Sequence, residues 1–451
     1  MNLETLKSVY FLGIGGIGMS ALARFFRQRG ADVIGYDRTE TSLTRALVSE
    51  GMHVHYADDP SRIPSEVDLA VYTPAVPREM AEFQALQKRN IPFIKRAEVL
   101  GVLSEHLPTL AVAGTHGKTT TSSLLAHLLT EGNISCTCLL GGIPSNYGSN
   151  FLKTGDDWLV VEADEFDRSF LHLRPQIAVV LSADADHLDI YGDAESVIRS
   201  GYDAFIRCIR PGGTLYMKAG LKLSVPAGLE VIEYGVEEGD CRAVNVRVEH
   251  GKFVFDYIGP DVEIRNIAWS LPGTHNVENA TAAISVALRI GLTPDDIRRG
   301  LSGFLGIHRR FEYVCEAPGC VIIDDYAHHP AELEAAIGAA RMLYPGKKIT
   351  GIFQPHLYSR TRDFAPEFGK ALSELDMVYL LPIYPAREAP IKGVSSELIG
   401  GYIQGKPWKV VTKEFLLTEI AAHSPEVLLT LGAGDIDRLV EPIYQILMPN
   451  E

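Results

Sequence analysis

Short apolar runs recur along the chain, and several are followed by stretches in which apolar residues return every three or four positions. The runs typical of buried strands cover residues 8–12, 110–113, 158–161, 177–181 and 321–323. After the second run, leucines at 124, 125, 128 and 129 have the spacing of a helix. Strands that alternate with helices predict parallel sheets and therefore an α/β fold.

A different pattern appears in the second half of the chain. Residues 245–248 and 253–255 flank His250 and Gly251, and their alternation predicts a β-hairpin. We therefore predict three domains. These are an N-terminal Rossmann-like nucleotide-binding domain at 1–105, a central P-loop ATPase-like parallel sheet with a small antiparallel portion at 106–312, and a C-terminal Rossmann-like α/β domain at 313–451.

The loop at Gly114, Gly117, Lys118 and Thr119 lies between a predicted strand and a predicted helix. This order forms a phosphate cradle, because loop amides and the positive helix end face the anion. Lys118 is expected to neutralise outer phosphates, and the Thr119 hydroxyl to hold Mg²⁺. Val112 stands where the standard motif has its first glycine, so a glycine-rich turn with an exposed lysine is the alternative.

A second glycine loop follows the first predicted strand. Gly13, Gly15 and Gly18 have the GxGxxG spacing, and Asp37 ends the next strand. This arrangement is the dinucleotide-binding fingerprint, in which a diphosphate meets the helix end and the acid meets a ribose hydroxyl. Any nucleotide diphosphate would satisfy it, and a purely structural tight turn is the alternative.

Acidic and metal-competent residues follow the strands of the predicted central domain. Glu162 ends one strand and His187 comes shortly after another. Ligands in parallel α/β sheets bind beyond the carboxyl ends of the strands, so both side chains are expected near Thr119 and the phosphates. Because His is an unusual Mg²⁺ ligand, His187 could instead be a base or bind a second ion. Solvated loop residues are the alternative for both.

Basic and aromatic residues cluster in the last third of the chain. Arg309 and Arg310 lie at the junction of the second and third predicted domains, where a basic linker is the alternative reading. Residues 325–330 combine an acid, a tyrosine and two histidines, and residues 355–362 carry further arginines. Paired histidines suggest zinc, but no third ligand has suitable spacing. We therefore predict an anionic-ligand cleft.

Composition narrows the class of protein. The formal net charge of −15 argues against a general nucleic-acid or membrane-surface binder. Six cysteines form no CxxC pair, which predicts free thiols in a reducing cytoplasm. No apolar run approaches the ~20 residues of a membrane span, and the N-terminus does not have the pattern of a signal peptide.

The presence of two nucleotide-type loops in one chain predicts that ATP drives a reaction on a substrate that itself carries a nucleotide. A nicotinamide-dependent dehydrogenase would need only the first loop. A non-catalytic ATP-binding module would need only the second.

With these motifs the sequence resembles the Mur ligases, which are three-domain, ATP-dependent enzymes that add amino acids to UDP-N-acetylmuramate in peptidoglycan synthesis. The resemblance covers essentially the whole chain in order. It rests on residues 13–20, 114–121, 162–165, 186–189, 275–280, 309–311, 324–330 and 354–356.

The resemblance implies roles for individual residues. Substrate binding falls to Gly13, Gly15, Gly16, Ile17, Gly18, Asp37 and His328. ATP binding falls to Gly114, Thr115, His116, Gly117, Lys118, Thr119, Thr120, His275, Asn276, Asn279, Arg309, Arg310, Asp324 and Asp325. The resemblance assigns Mg²⁺ binding to Thr119, Glu162 and His187. It assigns catalysis to Lys118, His187, His356 and Arg360.

Within the family, the first loop and residues 325–330 are most similar to the branch that ligates L-alanine to the muramate carboxylate. The branch that recycles whole murein peptides is the alternative. Residues 196–207 contain no lysine, unlike several family members, which fits the alanine-adding branch. Leu357 stands where many of its members have arginine, so that substrate contact is not carried over. The expected partners are these small molecules, with no nucleic acid and no membrane, for a monomer or weak homodimer.

Overall fold

The computed structural model describes residues 3, 5–184, 188–317, 319–386 and 388–448. Three sheets with flanking helices confirm the predicted α/β fold with mainly parallel strands. The chain forms two compact units. The first comprises Met1–Val244, Asp256–Ile267 and Glu278–Phe304, and the second comprises Asn245–Phe255, Ala268–Val277 and Leu305–Glu451. The predicted domain boundaries at 105 and 312 stay predictions.

The first sheet has five parallel strands in the order β3-β2-β1-β4-β5. They are β1 (Ser8–Leu12), β2 (Asp32–Tyr36), β3 (His53–His55), β4 (Leu69–Tyr72) and β5 (Phe93–Lys95). Its helices are α1 (Ile17–Gln28), α2 (Ser42–Ser49), α3 (Ala81–Gln87) and α4 (Arg96–His106), with a 3₁₀ turn at Pro60–Arg62. Four residues of β1 are fully buried, as expected for a central parallel strand covered on both faces.

The second sheet has ten strands in the order β15-β14-β13-β12-β11-β10-β6-β9-β7-β8. They are β6 (Thr109–Ala113), β7 (Cys136–Leu139), β8 (Phe151–Lys153), β9 (Trp158–Ala163), β10 (Ile177–Val180), β11 (Thr214–Lys218), β12 (Glu230–Val236), β13 (Cys241–Glu249), β14 (Lys252–Ile258) and β15 (Glu263–Trp269). Neighbours β6, β9, β10 and β11 are parallel. The predicted hairpin is β13–β14, whose two turn residues, His250 and Gly251, both have positive φ.

The helices of this region are α5 (Lys118–Glu131), α6 (Leu188–Tyr191), α7 (Ala194–Ser196), α8 (Asp203–Ile206), α9 (Thr274–Ile290) and α10 (Pro294–Gly303), with a π-helical segment at Val197–Tyr202 and a 3₁₀ segment at Phe166–His172. Helix α5 follows β6 directly and is buried over most of its length. Apolar residues of α4 pack in the same core as β6 and β9, so the first two sheets share one hydrophobic core within the first unit.

The third sheet lies in the second unit and has the order β16-β17-β21-β18-β19-β20. Its strands are β16 (Glu312–Ala317), β17 (Cys320–Asp325), β18 (Ile349–Phe353), β19 (Met377–Leu380), β20 (Trp408–Val410) and β21 (Val427–Leu431). Its helices are α11 (Pro330–Leu343), α12 (Tyr358–Leu372), α13 (Ser396–Gly400), α14 (Lys413–Ala422) and α15 (Val440–Leu447), with a 3₁₀ turn at Asp435–Leu439. Only the β16 edge is antiparallel, and a separate apolar core covers each face of the sheet.

Across the part of the chain that the structure describes, no helix has the length and apolar character needed to cross a membrane.

Candidate active site

The predicted phosphate loop joins β6 to α5, and its backbone requires glycine at two positions. Gly114 and Gly117 have φ of 146° and 83°, which other residues rarely adopt. A Cβ on Gly117 would lie 2.5 Å from Oδ1 of Asn279, and one on Gly114 would lie 2.9 Å from Cβ of Leu181. The structure therefore places Asn279, predicted to contact nucleotide, directly against the loop.

The rest of this loop is held by the chain that follows β10. The Asp184 amide donates to Oγ1 of Thr115 at 2.9 Å, and the His116 amide donates to Oγ of Ser182 at 3.0 Å. Thr119 and Thr120, in the first turn of α5, are 9% and 7% exposed. The loop thus has the fixed shape that a phosphate cradle needs.

Lys118 begins α5, and its ammonium makes two short contacts. Nζ donates to the Gly114 carbonyl at 2.6 Å and to Oε2 of Glu165 at 2.7 Å. Burial by itself lowers the pKa of Lys118, but the carboxylates of Glu165 and Asp164 outweigh burial and raise it. Lys118 is therefore a permanent cation at the mouth of the loop.

Glu162 lies in β9, one strand away from the loop in the sheet. Its Oε1 accepts from the Gly141 amide at 2.8 Å and from Oγ of Ser122 at 3.2 Å. A Cβ on Gly141 would lie 2.3 Å from Oε2, so only glycine permits this approach. Gly141 and Ser122 are site residues that the sequence did not reveal, because their partner is distant in the chain.

His187 lies outside the described residues, so the predicted metal set of Thr119, Glu162 and His187 stays a prediction. Among the residues that the structure describes, no three His, Cys, Asp or Glu side chains form a group that could hold a metal ion by themselves. The structure brings two carboxylates to the phosphate-loop helix: Glu162, which accepts from the α5 side chain of Ser122, and Glu165, which binds Lys118.

The first glycine loop has a different internal arrangement. The Gly15 amide donates to Oδ2 of Asp37 at 2.7 Å, and the Gly16 amide donates to the Gly13 carbonyl at 3.2 Å. The amides of Ile17 and Gly18 lie in the first turn of α1, where a helix supplies no acceptor. Asp37 therefore closes the loop with one oxygen, and its contact to a ribose stays a prediction.

A cavity of about 290 Å³ opens beside the first glycine loop within the first unit. It brings together groups from both glycine-loop sheets. The lining includes Gly16, Ile17, Gly18, Lys95, Arg96, Gly141, Glu162, Asp164 and Asp167. The loop predicted to bind a nucleotide diphosphate and the carboxylate predicted to serve the ATP site thus face one space.

Lys95 and Arg96 are the cations that line this cavity, and neither is among the site residues predicted from the sequence. A Cβ on Gly18 would lie 2.8 Å from Nη1 of Arg96, so the guanidinium lies against the first turn of α1. A signal was present, because a Lys-Arg pair ends a parallel strand, at the edge where ligands bind.

The segment 164–167 pairs three carboxylates with three cations. Glu165 binds Lys118 at 2.7 Å, Oδ2 of Asp167 binds Lys95 at 2.6 Å, and Asp164 lies 3.9 Å from Arg96. Asp167 and Arg168 have φ of 52° and 55°, the left-handed region that costs a non-glycine residue roughly 1 kcal/mol or more. Cations from both glycine-loop regions therefore meet one strained acidic turn.

In the second unit, Arg309 forms a buried ion pair. Nε donates to Oδ2 of Asp324 at 3.0 Å, and Nη2 donates to the Gly432 carbonyl at 2.6 Å. Asp324 also accepts from Oγ1 of Thr430 at 2.5 Å. Burial raises the pKa of Asp324 against the opposing effect of Arg309. Both predicted ATP-binding residues are thus bound to protein groups.

Asp325 and Arg310 lie beside this pair. Asp325 accepts from the amides of Phe311 and Ala327, each at 2.7 Å, and burial raises its pKa to about 6. The Arg310 guanidinium is 5.2 Å from the Tyr326 ring centre, and its Nη1 is 3.8 Å from Glu332.

The predicted substrate and catalytic residues of the second unit lie near one another. The rings of His328 and His356 are 5.9 Å apart, and His356 stacks on Tyr384 at 5.8 Å. Arg360, in the first turn of α12, is 9% exposed. Leu357, just before α12, has φ of 72°. His275 and Asn276 lie at the start of α9, where Nδ2 of Asn276 donates to the Pro272 carbonyl at 2.7 Å.

A phosphate loop, a second glycine loop and a shared cavity on parallel sheets define an α/β protein with two nucleotide-type loops. Three family descriptions match the chain. They are the Mur ligase family catalytic domain at residues 8–107, the Mur ligase middle domain at 112–287, and the Mur ligase glutamate ligase domain at 309–434. The chain belongs to the Mur ligase family.

Individual proteins similar to this chain also belong to this family. A UDP-N-acetylmuramate–L-alanine ligase from Cytophaga hutchinsonii is 46% identical, over 98% of this chain and 97% of the relative. The structure of the UDP-N-acetylmuramate–alanine ligase from Thermotoga maritima matches with a TM-score of 0.84 at 28% identity, over 99% of this chain and 100% of that one. A murein peptide ligase from Psychrobacter arcticus shares the fold, with a TM-score of 0.70 at 21% identity over 98% of both chains.

Proposed function

We propose that this protein ligates L-alanine to the lactyl carboxylate of UDP-N-acetylmuramate, with conversion of ATP to ADP and phosphate. The observation that carries the proposal is the cavity in which the first glycine loop and Glu162 face the same space. A substrate whose diphosphate lies on the first loop would extend its sugar toward the phosphate-loop sheet. The activity of the two L-alanine ligases named above, which match this chain over nearly its whole length, supports the same assignment.

The chemistry explains why two nucleotide sites are needed. A carboxylate is a poor acylating agent, so an oxygen of the lactyl carboxylate attacks the γ-phosphorus of ATP and the bond to the β,γ-bridging oxygen breaks. ADP leaves, and an acyl phosphate remains. The neutral amine of L-alanine then attacks the acyl carbon, loses a proton, and inorganic phosphate departs.

The residues of this chain act in that reaction by binding and by stabilising charge. The amides of the phosphate loop and the ammonium of Lys118 offset charge on the phosphates. The amides at the start of α1, with Lys95 and Arg96 beside them, suit the diphosphate of the sugar nucleotide. Asn279, which lies against Gly117, is in place to contact the ATP.

The site also fits Mg²⁺. The donor set of a threonine hydroxyl and a carboxylate is hard oxygen, which Mg²⁺ prefers. Thr119 and Glu162 would hold the ion, and Gly141 and Ser122 fix the Glu162 carboxylate. The ion would neutralise phosphate charge and polarise the phosphorus–oxygen bonds.

For the second unit we propose binding of the amino-acid substrate near His328, His356 and Arg360. Arginine suits a carboxylate, and Arg360 is held within the unit at low exposure. Arg309 is the weaker candidate for phosphate, since each of its three guanidinium nitrogens already contacts a protein oxygen, of Asp324, Gly432 or Gly434. We place the reaction in the cytoplasm, in keeping with six free cysteines.

The test is phosphate release from Mg²⁺ and ATP in the presence of UDP-N-acetylmuramate. L-Alanine, glycine, L-serine and the tripeptide L-Ala-γ-D-Glu-meso-diaminopimelate are offered separately as acceptors. Release that is strongest with L-alanine supports the proposal. Release with the tripeptide alone would assign the protein to recycling of murein peptides, and no release with any acceptor would contradict a ligase function.

A further inference from the structure

Glu165 is the most deeply buried acid at the phosphate loop. It is 2% exposed and follows β9 by two residues. Its backbone is held on both sides, because its carbonyl accepts from Oη of Tyr191 at 2.8 Å and from the Arg168 amide at 3.0 Å. These contacts fix the backbone of Glu165, and the fold therefore sets where its carboxylate meets Lys118.

The contacts of Lys118 leave part of its donor capacity for a ligand. An ammonium has three N–H donors, and among the residues that the structure describes the bonds to the Gly114 carbonyl and to Glu165 use two of them. The carboxylate also offsets the positive charge that a phosphate chain would meet. Glu165 thus has two effects of opposite sign: it orients the lysine, and it weakens the attraction of the lysine for phosphate.

The backbone next to Glu165 supports a functional reading of this placement. Asp167 and Arg168 both adopt left-handed conformations, which persist only where the surroundings enforce them. Burial raises the pKa of Glu165, and the charge and hydrogen bond of Lys118 offset this rise only in part. The fold keeps a costly acid beside the lysine.

We propose that Glu165 is a positioning residue for Lys118, which fixes the ammonium for phosphoryl transfer and, by sharing its charge, keeps ATP from binding too tightly. The proposal rests on the proposed function. An interaction that stabilises bound ATP more than the transition state lowers turnover, so a lysine freed from Glu165 is expected to bind ATP better and react more slowly.

The test is the variant Glu165→Gln, which keeps the size of the side chain and an oxygen acceptor but removes the charge. We expect the dissociation constant for Mg²⁺-ATP, measured calorimetrically without other substrates, to fall about fivefold. We expect kcat for phosphate release with UDP-N-acetylmuramate and L-alanine to fall about tenfold. A damaged fold would weaken binding, so a gain in affinity separates the proposal from a purely structural role.

Two controls sharpen the result. Glu230→Gln removes a carboxylate from an exposed ion pair with Arg289 in the same unit and is expected to leave ATP affinity unchanged. In a Lys118→Ala background, Glu165→Gln should no longer tighten ATP binding, because the two residues act through one contact. Unchanged or weaker ATP binding by Glu165→Gln, or the same gain without Lys118, would overturn the proposal. Failure of the parent protein to bind Mg²⁺-ATP would instead contradict the proposed function.

Discussion

The two units each contain a buried ion pair at the carboxyl end of parallel strands, and the two cations differ in what surrounds their nitrogen atoms. All three guanidinium nitrogens of Arg309 contact protein oxygens: Nε contacts Asp324, Nη2 contacts the Gly432 carbonyl, and Nη1 contacts the Gly434 carbonyl at 3.5 Å. Asp324 also accepts from Thr430. Lys118 binds Glu165 and the Gly114 carbonyl, which leaves one N–H donor without a partner in the part of the chain that the structure describes. The first pair is satisfied by protein groups, whereas the second retains capacity for a ligand.

We propose that this difference distinguishes a cation that serves the fold, Arg309, from one that serves the reaction, Lys118. A buried charge pair whose remaining donors bind carbonyls joins segments that are far apart in sequence, here residues 309, 324 and 432. A pair with a spare donor beside glycine amides can accept an anion without breaking the fold. Substitutions at the two cations should therefore affect different measurements, activity at Lys118 and stability at Arg309.

The largest effect is expected for Lys118→Ala. Loss of a preorganised cation that faces developing phosphoryl charge should lower kcat for phosphate release by about 10³-fold. Since Lys118→Ala leaves Glu165 buried without its cation, the double variant with Glu165→Gln is measured beside the single variant, and circular dichroism checks that both are folded. Lys347→Ala, which removes an exposed ion pair with Glu426, serves as the control and should be silent. Turnover that survives without Lys118 would exclude it from the site.

Arg309→Ala is expected to lower stability rather than activity. It leaves Asp324 buried without its partner, and the free energy of unfolding in urea should fall by about 3 to 5 kcal/mol. Arg362→Ala, which removes an exposed pair with Asp363, should change stability by less than about 1 kcal/mol. If Arg309→Ala unfolds like the parent protein but loses ATP affinity, Arg309 is a phosphate ligand and the comparison fails.

The pH dependence of stability should report on Asp325 in the second unit. Its pKa is raised to about 6, above the ordinary value of 3.8, so the folded protein holds the proton more tightly than the unfolded chain. Protonated Asp325 therefore stabilises the folded protein fully below about pH 4. This stabilisation is lost as the pH rises to about 6, which lowers the free energy of unfolding by up to roughly 3 kcal/mol. In urea unfolding, the free energy of unfolding of Asp325→Asn should change less between these pH values than that of the parent protein. An identical profile for both proteins would contradict this assignment.

The smallest effect is expected at Gly141. Gly141→Ala would place a Cβ within 2.3 Å of Oε2 of Glu162, so the carboxylate must move. We expect about a tenfold loss of kcat, and a higher Mg²⁺ concentration for half-maximal phosphate release. Gly338→Ala is the matched control, because its Cβ would meet nothing within 4 Å. Equal Mg²⁺ requirements for the two variants would exclude Glu162 from the metal site.

Local patterns predicted much of this molecule. The phosphate loop and the first glycine loop were identified because strand, glycines and helix are adjacent in sequence, and the α/β fold followed from the same alternation. Arg309 looked like a phosphate ligand, and nothing nearby in sequence shows that Gly432 and Thr430 surround its pair. Gly141 and Ser122 meet Glu162 only through the order of strands in the sheet. Lys95 and Arg96 were predictable, since a strand end is a local signal.

The acidic turn at 164–168 has a consequence for attempts to stabilise this protein. Its backbone favours glycine at Arg168, whereas Arg168 also lies 5.2 Å from the ring centre of Tyr191, whose hydroxyl holds Glu165. Such a turn is locally frustrated, because conformational preference and charge placement call for different residues. A design procedure that scored the backbone alone would choose glycine at 168. Glycine there would relax the turn but remove the Arg168 contact with Tyr191, which holds Glu165 beside Lys118. One substitution would thus raise stability and lower activity.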